Sequence, residues 1–144
     1  MSTAEEQAQE RRDRDEAMMA EARANGGVLK DGMALVIMHT IGAVSGKVHV
    51  KPVCVAPDGD DIIVAATAGG QKRHPQWYRN LMAHPDITVE YLGETFDVTA
   101  STVTNGPDRD RLFARMVVEI PGAYGYQDRC REYRQIPVVR MVRR

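Results

Sequence analysis

Sulfur crosslinks, aromatic bulk and a dominant charge are all scarce in this chain. Two cysteines in 144 residues, Cys54 and Cys130, form no motif with each other or with a histidine. That excludes a disulfide framework and leaves reduced thiols of a cytosolic protein as the plain reading. The net charge of −1 gives no electrostatic footprint for nucleic acid, so no nucleic-acid partner is expected. No apolar run approaches the length of a membrane span, which limits any membrane contact to a peripheral one. The opening "MSTAEEQAQERRDRDE" is too charged for a secretory leader, so a cytoplasmic location is expected. There is no Walker loop, no GxGxxG and no Ser-His-Asp elbow. His39, His49, His74 and His84 lack metal-ligand spacing, and no metal site is expected.

What is present reads as one small domain behind a charged arm. Residues 1–27 form an N-terminal helical unit. Ser2/Thr3 followed by Glu5/Glu6 suggests a capping box, the helix runs over 4–24, and Asn25-Gly26-Gly27 stops it. Its apolar residues, Ala17, Met18, Ala20 and Ala22, sit in the second half, so only its far end should pack. Residues 28–144 carry six strand signals: 33–41, 48–56, 61–67, 86–92, 95–103 and 136–142. Pro52 marks the second strand as an edge or a bulge. Pro57–Asp60 and Gly93-Glu94 read as turns. Residues 107–120 form a helix starting at Pro107, and 121–135 are irregular or helical. Short turns make the strands antiparallel, and the sum is an α+β fold, a six-stranded barrel with peripheral helices.

The chemistry concentrates in three places. Ala65-Ala66-Thr67-Ala68-Gly69-Gly70 ends a strand in small residues, which admit another backbone or a flat ligand, or simply make a turn. Free amides there can bind an anion or a ring carbonyl. "HPQWYRNL" (74–81) holds the only tryptophan. Trp77, Leu81 and Tyr78 share a packing face at helical spacing, while Asn80 either fixes a loop or holds a ligand. Lys47, His49 and Lys51 lie two apart, on one face of an extended strand beside a glycine turn. They can serve a phosphate or carboxylate, or be solvated edge lysines.

The order "T-x-G-x-x-S-G-K", "K-P-V", "VAATAGG", "HPQWYRNLMAHPDITVEY", "FDVTA" and "R-Q-IPVV" resembles the deazaflavin-dependent nitroreductase family, over roughly residues 28–142. The resemblance implies a split β-barrel, cousin to flavin-binding oxidases, that uses coenzyme F420 (8-hydroxy-5-deazaflavin) rather than FMN. It implies hydride transfer from the deazaflavin to a small electron-poor conjugated acceptor: an enone, a quinone, an unsaturated lactone or a nitroaromatic. The ring-binding positions that match are Ala65, Ala66, Thr67 and Ala68, with Gln76, Trp77, Tyr78, Arg79 and Asn80. The positions matching the phosphate and polyglutamate site are Ala43, Val44, Ser45, Lys47, His49, Val50, Lys51, Pro52, Val53 and Cys54. Tyr124 and Tyr126 match the substrate side and are the candidate catalytic donors to a developing oxyanion. Relatives carry cations where this chain has Ala43, Val44 and Ala68, and arginine where it has His49; Lys47, Lys51, Lys72 and Arg73 are the available replacements. A monomer or a homodimer suits the fold. The alternatives are a non-catalytic split barrel that binds F420 or a flavin, and a partner-binding protein with the first helix as its arm.

Overall fold

The computed structural model describes residues 3–120 and 123–144. Ser2 of the expected capping box and Pro121-Gly122 at the start of the late segment lie outside these. Helix α1 spans Ala4–Ala24. Thr3 caps it, its hydroxyl accepting from the Glu6 amide at 3.1 Å. The Gly27 amide returns to the Ala22 carbonyl at 2.7 Å and closes its end. Only Met19 and Ala22 are buried, so α1 packs by its far end as its composition requires.

Seven strands follow: β1 (Leu35–Ile41), β2 (Val48–Cys54), β3 (Ala56–Asp58), β4 (Asp61–Ala65), β5 (Asp86–Tyr91), β6 (Glu94–Thr102) and β7 (Val138–Arg143). They form one antiparallel sheet in the order β2-β1-β5-β6-β7-β4-β3. The extra strand is β3, which the sequence had merged into β2 and a turn. Its separation is a corner at Val55, whose amide still donates to the Ala34 carbonyl at 3.2 Å in the β1–β2 register, while the next residue, Ala56, pairs with Ile63 of β4.

That corner dictates the curl of the sheet. The first and last strands of the order, β2 and β3, are separated in the chain by Val55 alone. Neighbouring Cα atoms are about 3.8 Å apart, so the two edges must meet there. A flat seven-stranded sheet would hold its edges roughly 29 Å apart at about 4.8 Å per strand. The sheet therefore rolls into a barrel that is joined at Val55 and split elsewhere. Both prolines in strands, Pro52 and Pro57, sit on the two edges, where a missing amide breaks no ladder.

The barrel interior holds Val36, Met38, Ile62, Val64, Ile87, Val89, Val98, Ala100, Val139 and Met141. Phe96 packs partly against them, on the same face as Val98. A second cluster outside the barrel joins Ile63, Ala65 and Val138 to Leu112 and Met116 of helix α3 (Pro107–Glu119) and to Cys130 of the short helix α4 (Tyr126–Cys130). Strand β4 is thus buried on both faces, which explains its continuous apolar run. Helix α2 (Gln76–Ala83) plugs one end of the barrel with Trp77 and Leu81. The β5–β6 turn is Leu92-Gly93, one residue earlier than the sequence suggested, and Tyr91 pairs with Glu94. Both turn residues have positive φ, 49° and 82°, the geometry that two-residue hairpins favour. Among the described residues no helix is long and apolar enough to cross a membrane.

Candidate functional site

The end of β2, the loop leaving β4 and the first turn of α2 converge on one cleft. Pro52, Val53 and Cys54 form one wall, Ala65, Thr67 and Ala68 another, and Trp77 and Ile120 complete it. Its volume is about 190 Å³. The walls come together because β2 and β4 lie near the barrel's joined corner while α2 caps the same end. Seven of the positions expected at the site line this cleft.

The loop after β4 is tightly wound. Thr67 is helical in backbone (φ −72°, ψ −41°), Ala68 has φ 46° and Gly69 has φ 63°. A positive φ on alanine costs roughly 1–2 kcal/mol, so surrounding contacts must hold it. Gly70 (φ 79°) lies so close to α4 that a Cβ there would stand 2.9 Å from the Tyr126 carbonyl oxygen. Gly69 faces open space. The two glycines therefore differ in purpose: the first permits a turn, and the second permits close packing. Cys54 is a neutral thiol in the cleft wall, because burial, with the charge of Asp31, pushes its pKa up. Thiolate chemistry is absent from this wall.

The other expected positions fall outside the cleft. Ala66 is fully buried within the barrel interior, since it alternates with Ala65. Asn80, 1% exposed, is a bracing residue. Its Oδ1 accepts from the Ala43 amide and from Gln76 Nε2, both at 3.0 Å, and its Nδ2 donates to Thr40 Oγ1 at 3.4 Å. It thereby ties α2 to the β1–β2 turn. Gln76 and Arg79 are exposed on α2. The Tyr78 hydroxyl meets Thr102 Oγ1 at 2.8 Å, and its ring packs 4.9 Å from that of His74.

Ala43, Val44, Ser45, Lys47, His49 and Val50 form an exposed turn and strand start. His49 and Lys51 share a strand face, opposite Thr40 and Met38, and Lys47 precedes the strand. Lys51 is engaged: its Nζ donates to Asp15 Oδ2 of α1 at 2.6 Å. A second ion pair pins the same helix. Arg23 forks onto Glu90 at 2.9 and 2.8 Å, and His39 meets Glu90 at 2.8 Å. These bonds, Arg23 first, hold the Glu90 carboxyl at a pKa of about 2.

Tyr124 and Tyr126 do not line the cleft. Tyr124 is 89% exposed. Tyr126 packs against the outer cluster, with the Arg129 guanidinium 5.5 Å from its ring. Sequence reasoning missed Ile120, a lone apolar residue after α3 with no distinguishing pattern. It also missed Arg129 and Arg134, which hold the loop after β4; the only signal was the arginine in "RQIPVV".

A family model for F420H(2)-dependent quinone reductases matches residues 10–142. An F420H(2)-dependent quinone reductase of Mycobacterium tuberculosis H37Rv is 36% identical over 110 residues, 75% of this chain and 72% of its own. A second protein of that strain, named a putative F420H(2)-dependent quinone reductase, is 34% identical over 119 residues, 81% and 95% of the two chains. The solved structure of an F420-H2 dependent reductase superposes with a TM-score of 0.66 at 29% identity, covering 75% of this chain and 93% of that one. A heme storage protein from Vibrio cholerae, at 17% identity and a TM-score of 0.56, shares the fold alone, over 90% of this chain and 89% of its own. With its matched span running from α1 to the last strand, this chain belongs to the F420H(2)-dependent quinone reductase family, oxidoreductases whose cofactor is coenzyme F420.

Proposed function

We propose that the cleft bounded by Pro52–Cys54, Ala65–Ala68 and Trp77 takes the deazaflavin ring, and that the chain reduces a quinone there. Enones, unsaturated lactones and nitroaromatics are further acceptors of the same electron-poor, conjugated class. The observation that carries this reading is the cleft itself. Its walls are apolar or small, it has an aromatic end, and two backbone amides leave β4 at its rim. That donor set suits a flat heterocycle with ring carbonyls. A cleft of about 190 Å³ is small beside the whole cofactor, so the ribityl phosphate and glutamates would extend beyond it. The exposed turn from Ala43 to Val50 and the lysine at 51 are the surface they would cross. Gln76 and Arg79 border that surface on α2.

F420H2, when bound, supplies a hydride. The protein's part is to orient ring and acceptor, and to keep water from the face that gives the hydride. As hydride reaches the acceptor, negative charge grows on its oxygen. The tyrosines at 124 and 126 lie outside the cleft, and burial makes the Cys54 thiol a weaker acid than an ordinary cysteine. Solvent is therefore the proton source for the hydroquinone. A small-molecule acceptor is the sole partner that this chemistry needs. A structural neighbour described as a domain-swapped dimer, 26% identical, makes a homodimer the assembly to test first.

The test is a fluorescence titration with oxidised F420, followed by stopped-flow oxidation of F420H2 by a soluble quinone. Saturable binding and quinone-dependent oxidation are expected. Binding without turnover would reduce the chain to a carrier of the cofactor, and no binding would refute the placement of the ring.

A further inference from the structure

The loop from Ala66 to His74 is gripped by one side chain that belongs to none of the site's elements. Arg134 stands in the segment between α4 and β7. Its Nη1 donates to the Ala66 carbonyl at 2.8 Å and to His74 Nδ1 at 3.1 Å. Its Nη2 donates to the Thr67 carbonyl at 2.7 Å, and its Nε to the Gln71 carbonyl at 2.9 Å. Of the five N–H groups of a guanidinium, four are thus spent on a single nine-residue loop. Arg129 adds a bond from Nη1 to the Gly69 carbonyl at 2.8 Å.

Two consequences follow from covalent geometry. A trans peptide directs its N–H opposite its carbonyl. With the Ala66 and Thr67 oxygens drawn to Arg134, the amides of Thr67 and Ala68 must face away from it. Thr67 and Ala68 line the cleft, and Arg134 does not. The grip also fixes the peptide before Ala68, while the Gln71 amide holds the Ala68 carbonyl at 3.2 Å. The strained φ of Ala68 is thereby held from both sides.

The third consequence concerns His74. A guanidinium has only donors, so His74 Nδ1 must accept, and its proton sits on Nε2. Burial, with Arg134 and Arg79 nearby, holds the imidazole pKa below its usual value, in keeping with a neutral ring.

We propose that Arg134 is a positioning residue for the cofactor cleft: its planar fork sets the peptide planes at Thr67 and Ala68, and the tautomer of His74. The proposal rests on the reading that the deazaflavin ring binds at Ala65–Ala68. A lysine cannot replace the fork, because one ammonium cannot reach carbonyls at residues 66, 67 and 71 in a single plane.

The experiment compares wild type with Arg134→Lys and Arg134→Met. Amide hydrogen exchange is read in cofactor-free protein, the ring nitrogens of His74 by NMR, and F420 affinity by fluorescence. Arg134→Lys should speed exchange at Gly70 and Gln71, whose amides bond the Thr67 and Ala68 carbonyls, by about tenfold or more, as for loss of a charged hydrogen bond, and leave β5 and β6 unchanged. His74 should pass from one tautomer to a mixture, and the F420 dissociation constant should rise by about tenfold. Arg134→Met should do the same more strongly if it folds, and Arg134→Lys decides if it does not. Unchanged loop exchange or an unchanged tautomer in Arg134→Lys overturns the grip. Faster loop exchange with unaltered F420 affinity overturns the positioning role. Wild-type protein that binds no F420 refutes the site assignment itself, and is told apart because the variants then have no affinity to lose.

Discussion

Replacing Asn80 with alanine tests whether α2 holds the β1–β2 turn in place. The side chain is 1% exposed and makes three hydrogen bonds. Their contributions are unequal. Gln76 is exposed and would find water in place of Asn80. Thr40 is buried but keeps its own bond to the His49 carbonyl at 3.2 Å, and loses only a long contact of 3.4 Å. The bond from the Ala43 amide at 3.0 Å is the one that crosses between elements. One full and one or two partial bonds, at about 0.5–1.5 kcal/mol each, sum with a small cavity to roughly 2–3 kcal/mol. For a chain of this size that lowers the melting temperature by about 4–10 °C. Urea and thermal unfolding measure the loss, and hydrogen exchange over 42–47 locates it. Asn80→Asp should not rescue, because it keeps the acceptor for Ala43 but loses the donor to Thr40 and buries a charge. A loss below about 0.5 kcal/mol, or a larger loss with the turn amides as protected as before, would refute the bracing role.

Three further outcomes are expected. Glu90 has its pKa lowered to about 2, so its grip on Arg23 is complete above the ordinary carboxylate range and fades as pH falls from about 4.5 towards 2; the far end of α1 should become protease-sensitive over that window. At neutral pH, Glu90→Gln should cost about 1–2 kcal/mol after allowance for the half-exposed Arg23, and identical proteolysis of the variant would contradict this. Gly70→Ala should destabilise far more than Gly69→Ala, since only the former meets the Tyr126 carbonyl; equal melting temperatures would mean that α4 yields. Asp15→Asn frees Lys51 and should tighten binding of long-tailed F420 by a few-fold without altering that of its tail-less precursor. An equal change for both forms would place Lys51 away from the glutamates.

Local rules made much of the fold legible. Thr3, Gly26 and Gly27 delimit α1, Pro52 announces an edge strand, and the two-residue period of Phe96, Val98 and Ala100 gives the inward face of β6. The corner at Val55 was not legible. No glycine or proline marks it, and the split of one extended run into β2 and β3 is decided by which strand pairs with each half. The cleft was partly legible for the same reason. Small residues after β4 and the tryptophan of α2 advertise a close approach, but their spacing does not say which of Ala65 and Ala66 faces inward. That is settled by the register of β4 against β7, where Ala65 pairs with Val138. The braces were least visible. Asn80 and Arg134 act across 37 and more than 60 residues of chain, and nothing within a short window marks them.

The place of β7 in the sheet has a consequence for the order in which the molecule can be assembled. Strand β7 is neither an edge nor a neighbour of β1; it lies between β6 and β4. Until residues 138–143 are released from the ribosome, the sheet exists only as β2-β1-β5-β6 and the hairpin β3-β4, joined through Val55. Each part presents an unpaired strand facing the other, which is the geometry that invites pairing with another chain. Closure of the barrel therefore waits on β7. A chain that lacks Val138–Arg143 would be a template for aggregation or for exchange of strands between copies, whereas one with β7 free to pair could close on itself.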